Sequence, residues 1–73
     1  MEWNSVGKKV QIELAPSSFA DLERLKAETE ATSYAQVLRS ALKVYSWCVS
    51  HQQSGRKIEA SKPGENVIYE LIL

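Results

Sequence analysis

Apolar positions recur with three different rhythms along the chain. Residues 8 to 14, KKVQIEL, alternate: Val10, Ile12 and Leu14 fall on one side, Lys9, Gln11 and Glu13 on the other. A period of two predicts a half-buried strand. Pro16 ends it, because proline has no N–H to give to a ladder. From residue 17 to 31 the spacing turns helical, with Phe19, Leu22 and Leu25 in a short stripe between Ala15 and Thr29. Pro16 suits the entrance of this helix, Ser17 or Ser18 is expected to cap it, and Asp21 and Glu23 suit its early turns.

A second helix is predicted to start at Ser33. Ser33 to Gln36, SYAQ, is a capping box, a serine followed three residues later by a glutamine that can bond back. Tyr34, Val37, Leu38, Ala41, Leu42, Tyr45, Cys48 and Val49 then recur at steps of three and four. Val44 and Trp47 lie on another face, and two apolar faces imply more than one neighbour. Gly55 supplies a left-handed stop. Beyond it the period returns to two: residues 56 to 61 and 66 to 73 read as strands. Lys62 to Glu65, KPGE, joins them, with Pro63 and Gly64 in the central positions of a type II turn. Val67, Tyr69, Leu71 and Leu73 share one face of the hairpin, and Ile58 and Ala60 are expected opposite them. A lone hairpin is marginal in water, so it is expected to pack on the second helix at Val44 and Trp47. Residues 1 to 7 have no periodicity and read as a flexible arm, anchored at most by Trp3.

Composition narrows the class. With 44% hydrophobic and 25% charged residues, the chain is neither disordered nor collagen-like. No apolar run approaches the roughly 18 residues of a membrane span, and no secretory leader pattern opens the chain. One cysteine, Cys48, has no intrachain partner, so a reducing cytoplasm is the expected compartment. A chain of 73 residues without disulfide or metal often completes its core with a second copy. The N-terminal strand points the same way, since nothing adjacent in sequence pairs with it.

The stretch KKVQIELAPSSFADLERLKAETEATSYAQVLRSALKVY, Lys8 to Tyr45, resembles the ribbon-helix-helix family of the Arc, MetJ and CopG type. The resemblance covers about half of the chain. It rests on the strand alternation, the small residue and proline after it, the length of the first helix, the Thr32–Ser33 junction and the RSAL run. It implies an α+β, mainly α fold: a strand-helix-helix domain over residues 8–55, intertwined as a homodimer, with a C-terminal hairpin at 56–73 as an extension. It also implies double-stranded DNA as partner, the paired strands entering the major groove. Lys9, Gln11 and Glu13 would read bases, with Lys8, Thr32 and Ser33 on phosphate. Val10, Ile12, Leu14, Leu22, Leu25, Val37, Leu38, Ala41 and Leu42 would form the dimer core.

The same residues admit plainer roles. Lys9, Gln11 and Glu13 also suit the wet face of a sheet, and Glu13 repels phosphate. Nine basic residues balance nine acidic ones, with a pI near 6.6, which argues against a strongly basic nucleic-acid binder. Neutrality hides a polarised chain, however. Residues 32 to 58 hold Arg39, Lys43, Arg56 and Lys57 and no acid, while 10 to 31 hold five acids against Arg24 and Lys26. That asymmetry fits DNA binding or complementary helices equally. Cys48 and His51 are too few for a metal: Cys48 reads as core and His51 as a cation near the helix end. Tyr45 and Trp47 read as packing residues rather than base-stacking platforms. No catalytic constellation and no cofactor site is marked out, so no enzyme is expected. The expected function is a dimeric DNA-binding repressor or antitoxin-type autoregulator. The alternative is a protein-interaction module whose hairpin takes a partner such as a toxin.

Overall fold

The computed structural model describes residues 7–73. Two helices and a hairpin follow in the order α1 (Pro16–Glu28), α2 (Tyr34–Gln53), β1 (Ile58–Ser61) and β2 (Ile68–Leu71). The arm expected at 1–7 lies outside the described residues except for Gly7.

The strand-helix-helix expectation is overturned. Residues 7–15 form no strand, and the order is helix, helix, strand, strand. Alternation marks a segment as two-faced, but a strand exists only where its N–H and C=O groups find a ladder. In this chain β1 and β2 take each other as partners, and among the described residues no segment lies in a ladder with residues 8–14. The α+β class stands; the ribbon-helix-helix architecture does not.

Helix α1 starts on Pro16 at its first position, with Ala15 as an N-cap that makes no side-chain bond. The caps expected of Ser17 and Ser18 are absent because both residues are already helical, and neither acid falls in the first turn. The helix stops three residues earlier than its periodicity suggests. Glu30 adopts φ 56°, the Ala31 N–H donates to the Lys26 carbonyl at 3.0 Å, and the Glu30 N–H to that of Ala27 at 3.3 Å. This is a Schellman ending built on a residue with a Cβ, which the left-handed region disfavours by about 1–2 kcal/mol. Glu30→Gly is therefore expected to stabilise the fold by about 0.5–1 kcal/mol, after the extra freedom of glycine in the unfolded chain is deducted. A thermal melt followed at 222 nm, rising by a few degrees, would bear this out; a lower midpoint would refute it.

The limits of α2 follow its sequence closely. The Ser33 hydroxyl accepts the Gln36 N–H at 3.1 Å. The reciprocal arm shifts by one residue, since Gln36 Oε1 accepts the Thr32 N–H at 2.6 Å and the Thr32 hydroxyl at 2.9 Å. At the far end Gly55 takes φ 82°. There Arg56 N–H donates to the His51 carbonyl at 2.9 Å and Gly55 N–H to that of Gln52 at 3.0 Å, a second Schellman ending with the expected glycine.

The helices pack on one another through Leu22 of α1 and Val37 of α2, both buried. Phe19 and Tyr34 meet with ring centres 5.8 Å apart, and Lys26 Nζ sits 4.7 Å from the Tyr34 ring centre, where a cation–π attraction operates. These contacts close the two helices like a clasp.

In the hairpin, Ile58 pairs with Leu71, Glu59 with Glu70, Ala60 with Tyr69 and Ser61 with Ile68. The strands are shorter than the alternating runs, but the faces are those expected. The Glu65 N–H donates to the Lys62 carbonyl at 3.1 Å and Gly64 has φ 83°, which gives the type II turn. The hairpin meets the C-terminal end of α2, where Gln52 Nε2 donates to the Leu71 carbonyl at 3.4 Å. Val44 and Trp47, expected beneath it, stay more than half exposed. Trp47 instead leans on His51, with ring centres 4.3 Å apart.

Only Leu22, Val37 and Cys48 are buried hydrophobics among the described residues. The accessible surface is 6590 Å², where a compact folded chain of this mass has about 4,500 Å². Its radius of gyration is 16.1 Å, against about 11 Å for a compact chain of this length. The fold is complete in its backbone and incomplete in its core.

Candidate self-association and nucleic-acid interface

An uncovered groove on the described residues is lined by apolar side chains and one tyrosine. Val10 and Ile12 of the N-terminal segment line it together with Leu38, Ala41, Leu42 and Tyr45 of α2, around a space of about 590 Å³. The four helix positions follow the i, i+3, i+4, i+7 pattern that puts side chains on one face. Val10 is 80% exposed and Leu42 67%, so the groove has walls but no filling. A second, smaller hollow of about 240 Å³ opens between the helices, lined by Leu25, Val37, Ala41 and Val44 among others. Val44 turns toward this hollow and not toward the hairpin.

The residues expected to form the dimer core divide accordingly. Leu22 and Val37 are buried within their own chain. Val10, Ile12, Leu14, Leu25, Leu38, Ala41 and Leu42 remain exposed. The groove gathers Val10, Ile12, Leu38, Ala41 and Leu42, with Tyr45 added by the structure; α2 spacing already put Tyr45 on this face.

Lys8, Lys9, Gln11 and Glu13 are all exposed on the segment before α1. Gln11 and Glu13 flank a shallow hollow with Val10 and Ile12. Thr32 and Ser33 stand at the start of α2, but both hydroxyls and the Thr32 N–H are already engaged. The Thr32 N–H and hydroxyl bond Gln36, and the Ser33 hydroxyl holds the cap. What remains there is the helix dipole, the hydroxyl hydrogen of Ser33 and the N–H groups of Tyr34 and Ala35, since the cap takes up only that of Gln36, a weaker anion attraction than an uncapped terminus offers.

Farther along α2, Cys48 is buried, and His51 Nδ1 lies 3.5 Å from Arg56 Nη1. The Trp47–His51 pair was legible only as a spacing of four on one helix face. Among the described residues no three His, Cys, Asp or Glu side chains gather where a metal would be held. Among them, too, no helix is long and apolar enough to cross a membrane. No family model, curated protein or solved structure matches the chain.

Proposed function

We propose that the chain works in the cytoplasm as a homodimer closed over the Val10–Tyr45 groove, and that this dimer binds duplex DNA as a repressor or antitoxin-type autoregulator. One observation carries the reading: the segment that lends Val10 and Ile12 to the groove also bears Lys8, Lys9 and Gln11, all exposed. A second copy that covers the groove brings two such segments together. Their polar side chains, alternating with the apolar ones, then form one donor-rich surface.

The chemistry of that surface is specific in part. The Gln11 amide can bond adenine at N6 and N7, a contact worth about 1–3 kcal/mol of discrimination. Lys8 and Lys9 contribute charge without sequence preference. Thr32 and Ser33 add orientation through the start of α2. Glu13 tempers the field and offers an acceptor to cytosine N4.

The test is a set of binding isotherms on fragments of DNA from upstream of the chain's own gene, at two salt concentrations. Four lysines per dimer on phosphate give a log–log salt slope of about −3.6. Gln11→Ala is expected to flatten preference among sequences with the slope unchanged. Lys9→Ala weakens binding evenly and makes the slope shallower by up to about 2, one unit for each copy. If no fragment is retained at about 50 mM salt, where phosphate contacts are strong, the DNA reading fails and the function passes to a protein partner.

A further inference from the structure

Trp47 takes no part in the groove, nor does it pack beneath the hairpin. It stands 57% exposed and leans on His51, with ring centres 4.3 Å apart. Arg39, Lys43, Trp47 and His51 follow one another at steps of four along α2. Side chains spaced by four form a ridge on a helix, rising about 6 Å per step. This ridge is about 18 Å long. Arg56 extends it, since its Nη1 lies 3.5 Å from His51 Nδ1. At about 100° per residue the ridge runs on the side of α2 away from Leu38, Leu42 and Tyr45, so closing the groove does not cover it.

Charge sets the ridge apart. α2 carries no acid, and the acids that make the chain neutral all lie outside residues 32 to 58. Arg39, Lys43 and Arg56 are exposed. Among the described residues the ion pairs belong to Arg24, so these three cations meet no carboxylate there. We infer that the ridge binds single-stranded nucleic acid, DNA or RNA, with Arg39, Lys43 and Arg56 on phosphates and a base stacked on Trp47. A single strand presents phosphates and open base faces together. A duplex keeps its bases inside the stack and leaves the Trp47 ring unused. A membrane surface takes a helix with a broad apolar face, and on this side of α2 Trp47 is flanked by Ser46, Ser50 and the basic residues. Contact with His51 limits the ring motion that stacking would otherwise have to freeze.

The experiment follows the anisotropy of a fluorescein-labelled oligonucleotide of about 12 nucleotides, within the usual size of such sites, titrated with the full chain. Three phosphate contacts on a single strand give a log–log salt slope of about −2.1. Trp47→Ala is expected to weaken binding about 5- to 150-fold, the loss of one stacked base, with the slope kept. Trp47→Tyr, which retains a ring, should recover most of that loss. Lys43→Ala should make the slope shallower by about 0.7. Both positions are exposed, so the circular dichroism of these variants should match that of wild type. Parallel DNA and RNA oligonucleotides tell the two sources apart. Lys9→Ala and Leu42→Glu, which impair the duplex binding proposed above, should leave the single-strand isotherm unchanged, so the two readings fail separately. If Trp47→Ala leaves single-strand affinity unchanged, or lowers duplex affinity equally, the inference is overturned. So it is if no oligonucleotide binds at about 50 mM salt, where phosphate contacts are strong; anionic vesicles or polyglutamate bound in its place would then name the partner.

Discussion

Leu22→Ala is expected to unfold the chain. Leu22 is one of three buried hydrophobic side chains among the described residues and the one that α1 contributes. Truncating a buried leucine costs about 2–5 kcal/mol, because the transfer energy is lost and a cavity is left. A single core in a chain of this size rarely supplies more than about 3–5 kcal/mol, so the loss is comparable to the whole stability. Far-UV circular dichroism should register a collapse of the helical signal at 25 °C, or a midpoint lowered by about 10 °C or more. Leu25→Ala is the control. Leu25 lies one turn on and is 37% exposed, so its truncation should cost clearly less. Equal effects of the two substitutions would mean that the core is not centred on Leu22.

The residues that announce their own structure are those whose signal is local. Ser33 and Gln36 cap α2, Gly55 ends it, and Pro63–Gly64 turn the hairpin, because each needs only a few neighbouring backbone groups. Glu30 shows the limit. It ends α1 in a left-handed conformation normally given to glycine, so periodicity alone overran the helix by three residues. The N-terminal segment shows another limit. Its alternation sorted Val10 and Ile12 from Lys9 and Gln11 and so identified one wall of the groove, but a ladder requires a second strand that no pattern within 8–14 can supply. Val44 and Trp47 fall between these cases. Helical spacing set them on a face away from Leu38 and Leu42, yet what meets a face depends on the path of the chain beyond it. The hairpin reaches the Gln52 end of α2, leaving Trp47 to His51.

Leu42→Glu is expected to separate the proposed dimer while leaving the fold within one chain little changed. Leu42 is 67% exposed in the single chain, and substitutions at such positions usually move stability by no more than about 0.5 kcal/mol. In a dimer closed over the groove the same position is buried among Val10, Ile12, Leu38, Ala41 and Tyr45. A carboxylate left there without a partner costs about 3–5 kcal/mol, which raises the dissociation constant by a factor of about 100 to 4,000. Sedimentation velocity at micromolar concentration should convert a dimer boundary into a monomer boundary. Wild-type melting should rise with protein concentration, as mass action requires of a folded dimer, and that dependence should vanish in the variant. Leu42→Met keeps the volume and the apolar surface and should behave like wild type. DNA retention should fall together with dimerisation, since each chain alone carries half of the lysines. A wild-type chain that sediments as a folded monomer at about 100 μM, where even a weak dimer with a dissociation constant near 10 μM would be mostly assembled, would remove the groove from the functional site.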